Sequence, residues 1–231
     1  LTAKALGVDL LIHYGHSCLV PMDPKGSLKI LYVFVDIKID PLHLIETIKL
    51  NFCFEQSIAL VSTIQFVATL QGVSKELRQC NYNVLVPQSK PLSPGEVLGC
   101  TAPALEDVDV VIYIGDGRFH LEAAMIANPK SDGFRYDPYS KIFTREYYDH
   151  ELMKTTRYSA ISDAKHSRSF GIIMGTLGRQ GNMRVVDYIR KRMDYHKKQN
   201  VIILLSEIYP DKLQLFKGIE AFVQIACPRL S

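Results

Sequence analysis

Val108-Asp109-Val110-Val111-Ile112-Tyr113-Ile114 runs directly into Gly115-Asp116-Gly117-Arg118-Phe119-His120. A short run rich in Val and Ile that ends in a glycine turn is the pattern of a strand buried on both faces of a parallel sheet. The pattern recurs outward in both directions: upstream at Leu10 to Ile12, Leu28 to Ile37, Ser57 to Ile64 and Tyr82 to Val86, downstream at Phe170 to Met174, Val201 to Leu205 and Ala221 to Ala226. Helical patterns fill most of the intervals. Pro41 to Leu50 carries Leu42, Leu44, Ile45 and Ile48, with Pro41 suited to a first turn. Phe66, Leu70, Val73 and Leu77 share one helical face, as do Val185, Tyr188, Ile189 and Met193. Alternating strands and helices predict an α/β fold of parallel sheets with flanking helices and right-handed crossovers.

Asn128 to Arg145 breaks the rhythm with Pro129, Gly133 and Pro138, and reads as a connection between units. The expected division has residues 1–27 as the remainder of a first α/β domain, to which 134–150 return. Residues 28–133 form a second α/β domain, 151–166 a polar helical linker, and 167–231 a third α/β domain. The chain opens at Leu1 and stops at Ser231 just after a strand-like run, which suggests a fragment with its first and third domains truncated.

Composition bounds the function. With 231 residues, 47% of them apolar and 22% charged, the chain has the makings of a packed core rather than a disordered segment. A net charge of +3 is too small to serve as an electrostatic footprint for nucleic acid, and no apolar run approaches a membrane span. Five scattered cysteines, Cys18, Cys53, Cys80, Cys100 and Cys227, include no C-x-x-C, so neither a disulfide framework nor a zinc ribbon is expected and a reducing, cytoplasmic setting is. G-x-S-x-G, H-E-x-x-H and kinase motifs are absent.

Ligands of parallel α/β sheets bind beyond the carboxyl ends of the strands. Four such ends carry chemistry: His13 to Cys18, Gly115 to His120, Gly175 to Gly181, and Cys227-Pro228-Arg229. The glycine-spaced run Gly175-x-x-Gly178-x-x-Gly181 suits either backbone contact with an anion or a tight turn. Asp116 and His120 read as an acid/base pair or as a helix cap and first-turn residue. His13, His16 and Cys18 have zinc-like spacing without a fourth ligand nearby, and cavity lining is the alternative. Cys53 and Cys80 read as small buried hydrophobes. Cys100, in the turn-rich Pro91 to Gly99 loop, and Cys227, at a strand end, sit where thiolate chemistry is available, whether separately or in a shared metal site.

Longer motifs go further: HYGHSCLVPMD (13–23), LYVFVDIKID (31–40), KPLSPGEVLGCT (90–101), GDGRFHLEAAMIANP (115–129), YDPYSKIFTRE (136–146), GTLGRQGN (175–182), LLSEIYPDKL (204–213) and VQIACPRLS (223–231). Together they resemble the subunit 1 family of eukaryotic 2-(3-amino-3-carboxypropyl)histidine synthases, which act in diphthamide biosynthesis. The resemblance implies repeated α/β domains around a central cavity, each giving one cysteine to a [4Fe–4S] cluster. Cys100 and Cys227 match the second- and third-domain ligands, whereas Cys18 does not match the first, whose motif lies upstream in the family.

It also implies that S-adenosylmethionine occupies the iron left without a protein ligand, and that reduction yields a 3-amino-3-carboxypropyl radical that attacks a histidine of translation elongation factor 2. Beside that co-substrate the expected residues are Gly175, Thr176, Gly178, Arg179 and Gln180, with His16, Ser17, Asp116 and Gly117. Implied partners are a paralogous second subunit, the elongation factor as protein substrate and a small iron-binding electron donor, with no nucleic acid and no membrane. A non-catalytic partner subunit and an α/β ligand-binding module with inert cysteines are the competing expectations.

Overall fold

The computed structural model describes residues 2–15, 28–99, 101–176 and 181–226. The chain divides into two units, Leu1–Tyr148 and Asp149–Ser231. The first contains, in order, α1 (Thr2–Ala5), β1 (Leu10–Tyr14), β2 (Lys29–Val33), α2 (Pro41–Asn51), β3 (Ser57–Ser62), a 3-10 turn (Ile64–Phe66), α3 (Val67–Gln79), β4 (Asn83–Leu85), β5 (Val110–Ile114), α4 (Phe119–Ala127), β6 (Asp132–Asp137) and β7 (Ile142–Glu146).

Its main sheet has the order β4-β3-β5-β6-β7, with β7 antiparallel at the edge and the other neighbours parallel. β3 and β5 are buried along nearly their whole length, and their side chains alternate between two cores. Ile58, Leu60, Val110, Ile112 and Ile114 pack with Leu44 and Ile48 of α2 and with Leu70, Val73 and Leu77 of α3. Ala59, Val61, Val111 and Tyr113 point the other way, onto Leu121, Ala124 and Met125 of α4. Continuous apolar runs are what a strand covered on both faces requires, and each fully buried Leu or Ile contributes about 1.5–3 kcal/mol. Asp40 caps α2 by accepting from Leu42 N at 3.1 Å, with Pro41 in the first turn.

Two expected boundaries are corrected. Residues 134–150 were expected to return to the first domain, but 132–146 form the β6–β7 edge of the main sheet. Their two-residue alternation is short and punctuated, which hides it in the sequence. Phe134 and Phe143 stack with centroids 5.3 Å apart, Phe52 meets Phe134 edge-on, and Asp137 Oδ1 accepts from Tyr139 N and Ser140 N to shape the turn. The strand expected to open the second domain at 28 instead pairs with β1 in a separate two-stranded parallel sheet, Leu10 opposite Lys29 through Tyr14 opposite Val33. On that sheet Leu10, Ile12 and Leu31 stay exposed.

The second unit contains α5 (His150–His166), β8 (Ser169–Gly175), α6 (Met183–Tyr195), β9 (Gln199–Leu205), α7 (Pro210–Leu213) and β10 (Ala221–Ile225). Its sheet, β10-β8-β9, is wholly parallel with β8 in the centre. α5 is capped by Asp149, whose Oδ1 accepts from Leu152 N at 2.7 Å, and buries none of its side chains. The inward stripe of α6 is Val186, Ile189 and Met193. Val185 and Tyr188, expected on it, are exposed because the sheet contacts the helix one position further round. Among the described residues, no helix is long and apolar enough to cross a membrane.

Candidate functional site

The chemistry-bearing residues of the first unit collect at the carboxyl ends of β3 and β5. β3 ends in Ser62, and Thr63 follows it; both are buried. The segment leading to Cys100 is pinned to that end: Ser62 N donates to Gly95 O at 2.8 Å, Val97 N donates to Ser62 O at 2.9 Å, and Ser62 pairs with Glu96 in a single parallel bridge. Gly95 has φ +85°, a left-handed conformation that favours glycine. Glu96 is 2% exposed and accepts from Ser93 N at 3.1 Å. Among the described residues, Ser62 Oγ, Glu96 Oε1 and Thr101 Oγ1 are buried without a hydrogen-bond partner. The turn-rich stretch before Cys100 is therefore not a surface loop: Val97 packs in one core with Leu121, Ala124 and Met125 of α4, and Leu98 is buried as well.

β5 delivers Tyr113, fully buried, beside the turn Gly115-Asp116-Gly117. Tyr113 Oη donates to Asp116 O at 3.5 Å and lies 3.4 Å from His120 Nδ1, and the two rings stack at 6.0 Å. Burial pushes the Tyr113 phenol up, and the nearby Asp116 carboxylate raises it further, so it stays a neutral donor. A β-carbon on Gly115 would lie 2.5 Å from that phenol oxygen, and Gly117 has φ +66°. Asp116 and Gly117 are exposed. The cap residue of α4 is Arg118, not Asp116. Arg118 ties the helix start to the sheet edge, reaching Glu122 Oε1 at 3.2 Å, Glu146 Oε2 at 3.1 Å and Tyr147 O at 3.0 Å.

In the second unit, β8 ends in Gly175, buried, and is followed by Thr176, exposed, whose N donates to Leu205 O at 2.9 Å. A β-carbon on Gly181 would lie 2.4 Å from Met174 Cγ and 2.8 Å from Gly175 O, so the glycine is required for the chain to close back on β8. Asn182 then caps α6, accepting from Arg184 N at 3.0 Å. A strand before the glycine-spaced run and a helix after it are as the sequence predicts.

Of the expected site residues, Asp116, Gly117, Gly175 and Thr176 are described. Cys100, Cys227, Gly178, Arg179, Gln180, His16 and Ser17 lie outside the described residues, as does Cys18. Cys80 packs partly buried against the first core, but Cys53 is exposed, its thiol 3.4 Å from Gln56 Oε1, because α2 ends just before it. Among the described residues, no three His, Cys, Asp or Glu side chains gather as a metal site. A hollow lies at the amino end of β5, between 105–109 and 127–131, away from these strand ends. The sequence reading missed Tyr113, Glu96 and the Ser62-Thr63 pair. The available signal was a polar pair closing an otherwise apolar strand.

The family model for diphthamide synthesis proteins matches residues 1–231, and the chain belongs to that family. It is 57% identical to 2-(3-amino-3-carboxypropyl)histidine synthase subunit 1 of Nematostella vectensis over 100% of this chain and 49% of that protein. The Gallus gallus and Homo sapiens proteins of the same name are 57% and 53% identical, again over 100% of this chain and over 56% and 53% of theirs. The chain thus spans about half the length of the curated relatives it matches. Dph2 from Pyrococcus horikoshii matches in structure with a TM-score of 0.77 and 26% identity, over 99% of this chain and 66% of that one. The same protein solved with a 4Fe-4S cluster gives 0.77 and 27%, over 99% and 67%.

Proposed function

We propose that this chain contributes two α/β units to a radical S-adenosylmethionine enzyme of the first step of diphthamide biosynthesis. In this reading Cys100 and Cys227 each give a thiolate to one [4Fe–4S] cluster. The third thiolate, for which this chain has no matching cysteine, comes from the first-domain motif of the family. The donor chemistry fits, since iron–sulfur clusters take cysteine thiolates. When bound, such a cluster supplies the electron that splits the S-adenosylmethionine bond between sulfur and the γ-carbon.

The residues of this chain then have definable work. The carboxyl end of β3 holds the segment that carries Cys100. Tyr113 keeps its proton and supports the Asp116 turn through the Asp116 carbonyl. Gly175 closes β8 with Thr176 next to it, and the capped N-terminus of α6 favours the carboxylate of an amino-acid-bearing co-substrate; Gly178, Arg179 and Gln180 are further contacts in this reading. His16, Ser17 and Gly117 stand as further co-substrate contacts. The setting is cytoplasmic, with a paralogous subunit, a small iron-binding electron donor and a histidine of translation elongation factor 2 as the acceptor. One observation carries the reading: the backbone leading to Cys100 is anchored at the strand end where α/β sheets place ligands.

The test is anaerobic reconstitution of the full-length chain with iron and sulfide. Cys100→Ser and Cys227→Ser should each lose the cluster absorption and the histidine modification, while Cys53→Ser and Cys80→Ser keep both. Wild-type iron content and activity in Cys100→Ser would refute the assignment.

A further inference from the structure

We infer that Phe119 is a positioning residue for Cys100, acting through the backbone of Gly99; the inference rests on the reading of Cys100 as a cluster ligand. A β-carbon built on Gly99 would lie 2.2 Å from Phe119 Cε1, 2.5 Å from Cζ and 3.2 Å from Cδ1. The edge of the ring therefore occupies the space that any side chain at position 99 would need. Gly99 is not in the left-handed region, so room rather than conformation demands glycine here. Cys100 is the next residue, and successive α-carbons are about 3.8 Å apart, so wherever the ring holds Gly99 it restricts Cys100.

α4 grips this stretch at both ends. Phe119 is its first residue. Its C-cap residue, Asn128, 5% exposed, accepts from Leu105 N at 2.6 Å through Oδ1 and donates to Pro103 O at 2.9 Å and to Ala124 O at 2.8 Å through Nδ2. Upstream, Val97 N holds the chain to β3. Gly99 thus sits between a fixed strand end and a loop fastened to the far end of α4, with the Phe119 ring wedged against it. The ring is itself braced edge-on by His120, which stacks on the buried Tyr113.

Removing groups that orient a metal ligand typically weakens metal affinity by about 10–100-fold. In the full-length chain, reconstituted anaerobically, Phe119→Ala should show a loss of that order in iron retention and a changed electron paramagnetic resonance signal from the reduced cluster. Phe119→Met, which refills most of the volume, should restore both. Gly99→Ala should lose iron as well. Gly99→Ala combined with Phe119→Ala should recover it, because the new methyl enters the space the ring vacated; that recovery is not expected of two independent folding defects. Wild-type iron retention and an unchanged signal in Phe119→Ala, while Cys100→Ser has lost its cluster, overturn the positioning role alone. A double variant no better than the poorer single variant also overturns it. A full cluster in Cys100→Ser instead removes the reading beneath it.

Discussion

Ser62 and Glu96 face each other across one parallel bridge at the carboxyl end of β3, flanked by the Gly95 carbonyl and the Val97 amide on the Ser62 backbone. This pairing turns the stretch before Cys100 from a surface loop into an extension of the central sheet. It places two buried polar side chains where an apolar strand stops.

The bridge depends on the turn that precedes it. A β-carbon on Gly95 would meet Leu70 Cδ2 at 2.9 Å and Val86 Cγ1 at 3.1 Å, at a φ of +85°. Gly95→Ala is expected to destabilise the fold by about 1–3 kcal/mol, the cost of a side chain held in a sparsely populated backbone region. Denaturant unfolding measures it, and an unchanged midpoint would show that the turn relaxes freely.

Tyr113 predicts an alkaline weakness. Its phenol holds its proton more tightly folded than unfolded, because ionising it in the core is costly. That contribution is fully present below the unfolded phenol value of about pH 10 and is lost as pH rises beyond it, where the unfolded chain binds fewer protons. Melting temperatures compared at neutral pH and above pH 10 should fall less in Tyr113→Phe than in the wild type. Parallel curves for the two proteins would remove Tyr113 as the cause.

Buried and exposed leucines of the first unit differ sharply in what they tolerate. Leu60 is fully buried between β3 and the α2–α3 layer, whereas Leu50, near the end of α2, is 84% exposed. Leu60→Ala should cost about 2–5 kcal/mol in chemical denaturation, and Leu50→Ala less than about 0.5 kcal/mol. Similar losses at both positions would contradict the core assignment.

The glycine-spaced run after β8 offers a test of co-substrate contact separate from the cluster. Arg179→Ala and Gln180→Ala in the full-length chain should slow S-adenosylmethionine cleavage under reducing conditions and leave the visible absorption of the cluster intact. Unchanged cleavage in both would make the glycine run from Gly175 to Gly181 a structural turn only.

What the sequence determined by itself was the parallel strands other than β6, most plainly β3, β5 and β8, because burial on both faces demands unbroken apolar runs. Long motifs carried the family, and apolar patterning carried the strand before the Gly175 run and the helix after it. Tertiary structure alone decided the rest. The β6–β7 edge rests on aromatic pairs such as Phe134 and Phe143, whose alternation is too short to stand out beside Pro129 and Pro138. The pairing of β2 with β1 depends on a partner strand, which no local pattern names. The burial of Glu96, and the wedge of Phe119 against Gly99, arise because residues distant in sequence compete for one volume. Period and punctuation are local properties of a chain, whereas packing is a property of pairs brought together only by the fold.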